Sequence, residues 1–213
     1  MTLTLEVHPD PSTATRRVAG LIAERMRDGE STVALSRGAD LLARLAAEET
    51  SWPEASVFQV DERIVRRGHE DRNLTQLEAS LPANVVRPMP VDEHDLDAAA
   101  ARYASELPAA FELVHLGLGP DGHTASLVPA DPVLDVGARL VAVTQEYQGY
   151  RRMTLTYPAL ESAREIVWLV TGEEKRGAVA RLLAGDTSIP AGRIANSNQL
   201  VVCDVTAAPT SSD

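Results

Sequence analysis

Leu113–Pro129 reads LVHLGLGPDGHTASLVP. A short apolar run of strand character ends at Leu116 and breaks into Gly117, Gly119 and Gly122, followed at once by His123, Thr124 and Ser126. Glycines let backbone N–H groups approach a ligand closely, and histidine is the one side chain whose ordinary pKa lies near neutrality. A buried strand that delivers glycines and then polar groups is how α/β proteins build a site at the carboxyl edge of a sheet. The flanks decide whether such a sheet surrounds it.

Upstream, Leu3–Val7 alternates like a strand with one wet face and is stopped by His8, Pro9, Asp10 and Pro11. From Ser12, read as an N-cap, Val18, Leu21, Ile22 and Met26 recur at helical spacing until Asp28-Gly29. Ser31–Leu35 is a second strand; it feeds Ser36, Arg37 and Gly38, then a helix carrying Leu41, Leu42 and Leu45, with Asp40 read as its cap. A strand, a small-residue loop and a helix N-terminus make a ready anion site, because the first helical N–H groups have no internal partner. Ser56–Val60 is the next strand and runs into Asp61, Glu62 and Arg63, at the strand end where ligand-facing residues sit. Asn73 is read as the cap of a helix carrying Leu74 and Leu77, and Val85-Val86 as a short strand. Asp92, Glu93, Asp95 and Asp97 open a helix through Tyr103; acids there complement the macrodipole, which argues against a metal site.

Downstream, Ala138–Thr144 and Met153–Tyr157 read as strands, separated by a polar stretch carrying Tyr147, Tyr150, Arg151 and Arg152. Pro158 begins a helix to Ala163, and Glu165–Thr171 is an interior strand ending at Gly172–Lys175. A helix with Val179 and Leu182, a last strand at Leu200–Val205 and a fraying tail from Thr206 to Asp213 complete the chain. Strands alternating with helices predict an α/β fold: a mainly parallel, Rossmann-like sheet flanked by helices on both faces, with residues 1–213 as a single domain.

A formal charge of −11 argues against a nucleic-acid surface or an anionic membrane, each of which needs a basic face, so an anionic substrate requires a local basic cluster. The one cysteine, Cys203, lies in an apolar run and cannot form an internal disulfide. With no basic leader and no apolar run of about 18 residues, the expected location is the cytoplasm.

Gly117, Gly119 and Gly122 spell G-x-G-x-x-G, yet a dinucleotide site needs a sustained helix next, and Pro129 and Pro132 leave room for only about two turns. No Walker loop, C-x-x-C pair, His-Glu zinc helix or G-x-S-x-G elbow occurs, so hydrolysis would go through water. A lone histidine is more often structural than catalytic. His123 stands apart because Asp121 precedes it by two residues amid the glycines, which suits a neutral general base.

GLGPDGHTASLVP, with VDER at Val60–Arg63, RRMTLT at Arg151–Thr156, TGEEK at Thr171–Lys175 and IPAGR at Ile189–Arg193, resembles the 6-phosphogluconolactonase family of the pentose phosphate pathway, from about Val33 to Asp204. The related glucosamine-6-phosphate deaminases carry an Asn-Glu pair where this chain has Leu127 and Val128. The resemblance implies hydrolysis of a sugar-phosphate lactone without metal or organic cofactor, by a cytoplasmic monomer or weak homo-oligomer. It implies His123 as general base with Asp121 beside it. Arg63, Lys175 and Arg152 would bind phosphate together with the Ser36, Arg37 and Gly38 loop, while Asp61, Glu62, Gly117, Gly119, Gly122, Thr124 and Ser126 would shape the site. The family usually shows Ser-Gly-Gly-Ser-Thr after the second strand; here Ser36 and Gly38 remain, while Arg37, Ala39 and Asp40 replace the rest. Two alternatives stand beside the lactonase: a glucosamine-6-phosphate deaminase/isomerase, and a non-catalytic sugar-phosphate-binding module like the ligand domains of some transcriptional regulators. The latter expects an attached DNA-binding helical domain, whereas this sequence opens on a strand.

Overall fold

The computed structural model describes residues 2–27, 31–48, 50 and 52–210. In chain order they form β1 (Thr2–His8), α1 (Pro11–Arg25), β2 (Thr32–Leu35), α2 (Ala39–Ala46), β3 (Ser56–Gln59), β4 (Asp61–Arg63), α3 (Asn73–Ser80), β5 (Val86–Arg87), α4 (Leu96–Glu106) and β6 (Leu113–Leu116). The second half adds β7 (Val141–Val143), β8 (Arg152–Leu155), α5 (Tyr157–Glu161), β9 (Ile166–Val170), α6 (Arg176–Leu183) and β10 (Asn198–Asp204). Seven strands form one sheet in the order β1-β10-β9-β6-β2-β3-β5, every neighbouring pair parallel.

Because successive side chains of a strand point to opposite faces, each interior strand needs apolar residues on both. Val33, Leu35, Val57 and Leu113 pack against α1, α2 and α3 through Val18, Leu42 and Leu77. Ala34, Phe58, Val114, Leu116 and Trp168 face the other way, against Tyr103 of α4, Leu160 of α5 and Val179 of α6. The expected α/β fold, a mainly parallel sheet covered on both faces, is present.

A second sheet, β4-β8-β7, is antiparallel. Two of its strands were expected, β7 within Ala138–Thr144 and β8 near Met153–Tyr157, but β4 went unread, because Asp61, Glu62 and Arg63 look like charges past a strand end and a three-residue strand carries too little periodicity to show itself. Val60 is the step between the sheets: its N–H donates to the Leu35 carbonyl of β2 at 3.2 Å, and its carbonyl accepts from Leu155 of β8 at 2.8 Å.

Capping differs from expectation in three places. Asp10, not Ser12, caps α1: its carboxylate accepts from Thr13 N–H at 2.8 Å, and Pro11 occupies the first turn, where a missing N–H costs nothing. Gly38, not Asp40, precedes α2, and Asp40 instead pairs with Arg44 one turn on at 3.1 Å. Asn73 lies inside the first turn of α3, after Arg72. The expected stop at Asp28-Gly29 lies outside the described residues. Within the acidic run, Asp95 caps α4, accepting from Ala98 N–H at 3.0 Å, while Asp92 takes a bidentate pair with Arg72 at 2.7 and 2.9 Å. Among the described residues no group of three metal-ligating side chains could hold an ion, and no helix is long and apolar enough to cross a membrane. The expected fraying from Thr206 does not hold for its first residues: Ala207 is buried, and the N–H groups of Ala207 and Ala208 donate to the Asp204 carbonyl.

His115, on β6, is 3% exposed, and neither ring nitrogen has a hydrogen-bond partner. It sits on the same side of the strand as Leu113, towards α1 and α2. Burial pushes its pKa down from 6.5 to about 4. The unfolded chain therefore binds a proton here that the folded chain refuses between those values, so stability falls as pH drops through this window. We expect wild type to lose about 3 kcal/mol more than His115→Leu between pH 6.5 and 4, read by urea unfolding at a series of pH values.

Candidate active site

β2 and β6 are neighbours, but β2 leads outwards to β3 and β6 to β9 on the opposite side. Loops leaving the carboxyl ends of these two strands must diverge, and a crevice opens between them. A cavity of about 270 Å³ lies there. Ser36 and Arg37 line it from the loop after β2, Gly117, Leu118, Gly119, His123 and Ala125 from the loop after β6, and Lys175 from the turn after β9. The small sheet adds Asp61, Arg63 and Arg152, joined by Asn73 of α3 and Gln148.

Asp121 Oδ1 lies 2.6 Å from His123 Nδ1 and accepts from the His123 backbone N–H at 3.1 Å. A carboxylate can only accept, so Nδ1 carries a ring proton, and in the neutral imidazole the lone pair is on Nε2. Partial burial pushes the Asp121 carboxyl up, but hydrogen bonds from His123 and Tyr147 outweigh it and hold the pKa below the ordinary value. Gly119 is required by closeness: a Cβ there would lie 2.0 Å from His123 Nδ1 and 2.7 Å from Asp121 Oδ1. Gly122 takes φ +83°, and a Cβ on it would meet the Ile189 side chain at 2.4 Å. No α-helix follows it directly: the chain makes a bridge and then a short 3₁₀ turn at Pro132–Asp135. The Thr124 hydroxyl donates to the Gly117 carbonyl at 2.9 Å, Ala125 turns to φ +48°, and the N–H groups of Thr124 and Leu127 are spent on each other's carbonyls.

Four cations, Arg37, Arg63, Arg152 and Lys175, share the cavity wall. Arg63 donates to the Asp71 carbonyl at 2.6 Å and stacks over Tyr150 at 5.6 Å. Arg152 is 4% exposed, stacks over Tyr147 at 5.0 Å, and its buried Nε has no acceptor. Among the described residues neither Arg152, Arg37 nor Lys175 has a carboxylate within ion-pair distance. The facing acid is Asp61, held by Ser126 Oγ at 2.6 Å and Asn73 Nδ2 at 3.0 Å. Burial pushes its carboxyl up, against the pull of Ser126 and of the Arg152, Arg63 and Arg37 charges.

The remaining sequence-derived site residues do not line the cavity. Gly38 precedes α2, Thr124 and Ser126 brace the loop after β6, and Gly122 packs on Ile189. Glu62 is fully buried and points into the start of α3, accepting from the backbone N–H groups of Arg63, Asn73 and Leu74 and from Gln59 Nε2, all at 2.7–2.8 Å. Asn73, Leu118, Ala125 and Gln148 escaped sequence reading as wall residues, because a cap, an apolar residue between glycines and a turn carry no chemical signature.

Removing a buried carboxylate that satisfies three backbone donors leaves those donors stranded. Glu62→Ala should cost about 3–5 kcal/mol in urea unfolding, whereas Asp40→Ala, exposed and paired only with Arg44, should cost under about 1 kcal/mol.

Among known proteins, the family described as Glucosamine-6-phosphate isomerases/6-phosphogluconolactonase matches residues 9–203. The 6-phosphogluconolactonase of Synechocystis is 38% identical, covering 80% of this chain and 77% of its own length. That of Mycobacterium tuberculosis is 32% identical, covering 98% of both. The crystal structure of a Thermotoga maritima 6-phosphogluconolactonase superposes with TM-score 0.84 at 24% identity, over 95% of this chain and 99% of that one. A monomeric glucosamine-6-phosphate deaminase superposes equally well, TM-score 0.84 at 16% identity, over 96% and 98%, so the fold alone serves both activities. With the match spanning most of the chain and two relatives above 30% identity, the chain belongs to the Glucosamine-6-phosphate isomerases/6-phosphogluconolactonase family.

Proposed function

We propose that this chain, acting as one catalytic domain, hydrolyses 6-phospho-D-glucono-1,5-lactone to 6-phosphogluconate in the pentose phosphate pathway. The observation that carries the reading is a His123–Asp121 pair at 2.6 Å in a cavity walled by Arg37, Arg63, Arg152 and Lys175. Curated relatives named 6-phosphogluconolactonase at 38% and 32% identity support it.

The cations bind the substrate phosphate through charge-assisted hydrogen bonds. Nε2 of His123 takes a proton from a water as its oxygen attacks the lactone carbonyl, and Asp121 stabilises the imidazolium that forms. Arg63 or nearby backbone N–H groups hold the oxyanion. When the tetrahedral intermediate collapses, the bond from carbon to ring oxygen breaks and the His123 proton passes to that oxygen, leaving an open acid. The deaminase alternative lacks support where it would need it: Leu127 and Val128, in place of the Asn-Glu pair, are 0% and 3% exposed and supply no carboxylate.

Product formation coupled to 6-phosphogluconate dehydrogenase, corrected for spontaneous opening, tests the reading. His123→Ala should lower kcat by at least about 10²-fold, the low end of general-base catalysis, and Gly119→Ala should do the same by displacing the ring. Lys175→Ala should raise KM by about 10-fold or more. Wild-type kcat in His123→Ala removes the assigned base, and ammonia release from glucosamine 6-phosphate would restore the deaminase.

A further inference from the structure

Between β7 and β8 the chain folds back in a tight hairpin, with Tyr147 and Tyr150 joined by Tyr147 N–H to Tyr150 carbonyl at 3.0 Å. Gln148 and Gly149 take φ +52° and +82°, the paired left-handed residues of a two-residue turn that brings the residues flanking it together. Each tyrosine then does two things at once. Tyr150 donates to Asp71 at 2.8 Å and lies beneath Arg63. Tyr147 donates to Asp121 Oδ2 at 3.0 Å and lies beneath Arg152.

The Tyr147 contacts divide by atom. Asp121 Oδ1 is taken up by the backbone and ring N–H groups of His123, and Oδ2 by the Tyr147 hydroxyl, so the carboxylate is pinned at both oxygens. That hydroxyl also accepts from Gln148 Nε2 at 3.2 Å, which points its own proton at Asp121. The Tyr147 ring meets the His123 ring edge-on at 5.6 Å, limiting its tilt. The face of the same ring carries the Arg152 guanidinium, which among the described residues has no carboxylate within ion-pair distance. Stacking on an aromatic face fixes an arginine while consuming none of its N–H donors.

We infer that Tyr147 is a positioning residue with separable parts: its hydroxyl orients the Asp121–His123 pair for turnover, and its ring holds Arg152 ready for the substrate anion. The inference rests on the lactonase reading. Tyr147→Phe deletes one part and Tyr147→Leu both. Tyr147→Phe should lower kcat about 5- to 10-fold, the worth of one hydrogen bond to a charged group, with KM within about twofold of wild type. Tyr147→Leu should show a kcat no higher than that of Tyr147→Phe, and a KM raised about 5- to 10-fold through loss of the stacked face. In an Asp121→Asn background, Tyr147→Phe should have no further effect, because the two act as one unit.

Wild-type kcat in Tyr147→Phe, or a full additional loss in Asp121→Asn, overturns the role of the hydroxyl. Equal KM in the Phe and Leu variants overturns the role of the ring. A folded wild-type chain that leaves the lactone untouched counts against the proposed function, and Tyr147 is then judged by 6-phosphogluconate binding. There the Leu variant alone should bind about 5- to 10-fold more weakly, and equal affinity of all three proteins overturns the inference.

Discussion

The pairing of β2 with β6 is the contact on which the site depends. Register runs Val33–Leu113, Ala34–Val114 and Leu35–His115, and the ladder continues one step further, with Ser36 N–H donating to the His115 carbonyl at 3.3 Å. Beyond that bond the two chains part, because their next strands lie on opposite sides. Everything that meets in the cavity follows from this parting. The β2 loop brings Arg37, the β6 loop brings His123, and Val60, bonded to the end of β2, starts the small sheet that carries Asp61, Arg63 and Arg152. A one-residue slip would turn each side chain of β6 to the other face, setting His115 where Val114 packs.

Charge is distributed against the average. The chain carries a formal −11, yet four basic side chains line one cavity, and three of them have no carboxylate partner among the described residues. Like charges held together repel, and an arginine at 4% exposure is costly to keep ionised. Burial lowers the Arg152 pKa, and Asp61 is the first of the neighbours that raise it again. The tyrosine faces under Arg63 and Arg152 ease the crowding without cancelling charge. Part of the acidic surface is taken up in ion pairs such as Asp92 with Arg72 and Asp40 with Arg44, away from the cavity wall.

Much of the fold was legible because interior parallel strands advertise themselves as apolar runs. LVHL and IVWLV are buried along nearly their whole length. The site loop was legible because glycine, aspartate and histidine crowd into seven residues that only a close approach explains, and Gly119 meets that condition in space. What stayed hidden was assembled from distant or weak signals. Strand β4 is three residues long, its antiparallel pairing with β8 joins segments about 90 positions apart, and the partners of Asp121 and Asp61 come from Tyr147 and Ser126, 26 and 65 positions along the chain. The capping errors share one cause: Ser12, Asp40 and Asn73 are all good cap residues by type, but geometry one or two positions earlier decided the start of each helix.

The loop after β2 gains a physical meaning from the cations around it. The usual family pattern there supplies hydroxyls, which orient a phosphate through directed bonds; here Ala39 and Asp40 stand in their place. Asp40 would repel an anion if it faced the cavity, but its side chain is 63% exposed and turned to Arg44. Arg37 faces the cavity instead. Under the proposed function, phosphate recognition on this side passes from oriented hydroxyls to a long, flexible cation. Such a side chain attracts at longer range and tolerates more positions of the anion, and it is weakened more by salt. Orientation of the substrate must then come from the stiffer groups opposite, Arg152 and Arg63 on their tyrosine faces. Under the same proposal, the task of orienting the substrate falls to the Tyr147–Tyr150 hairpin.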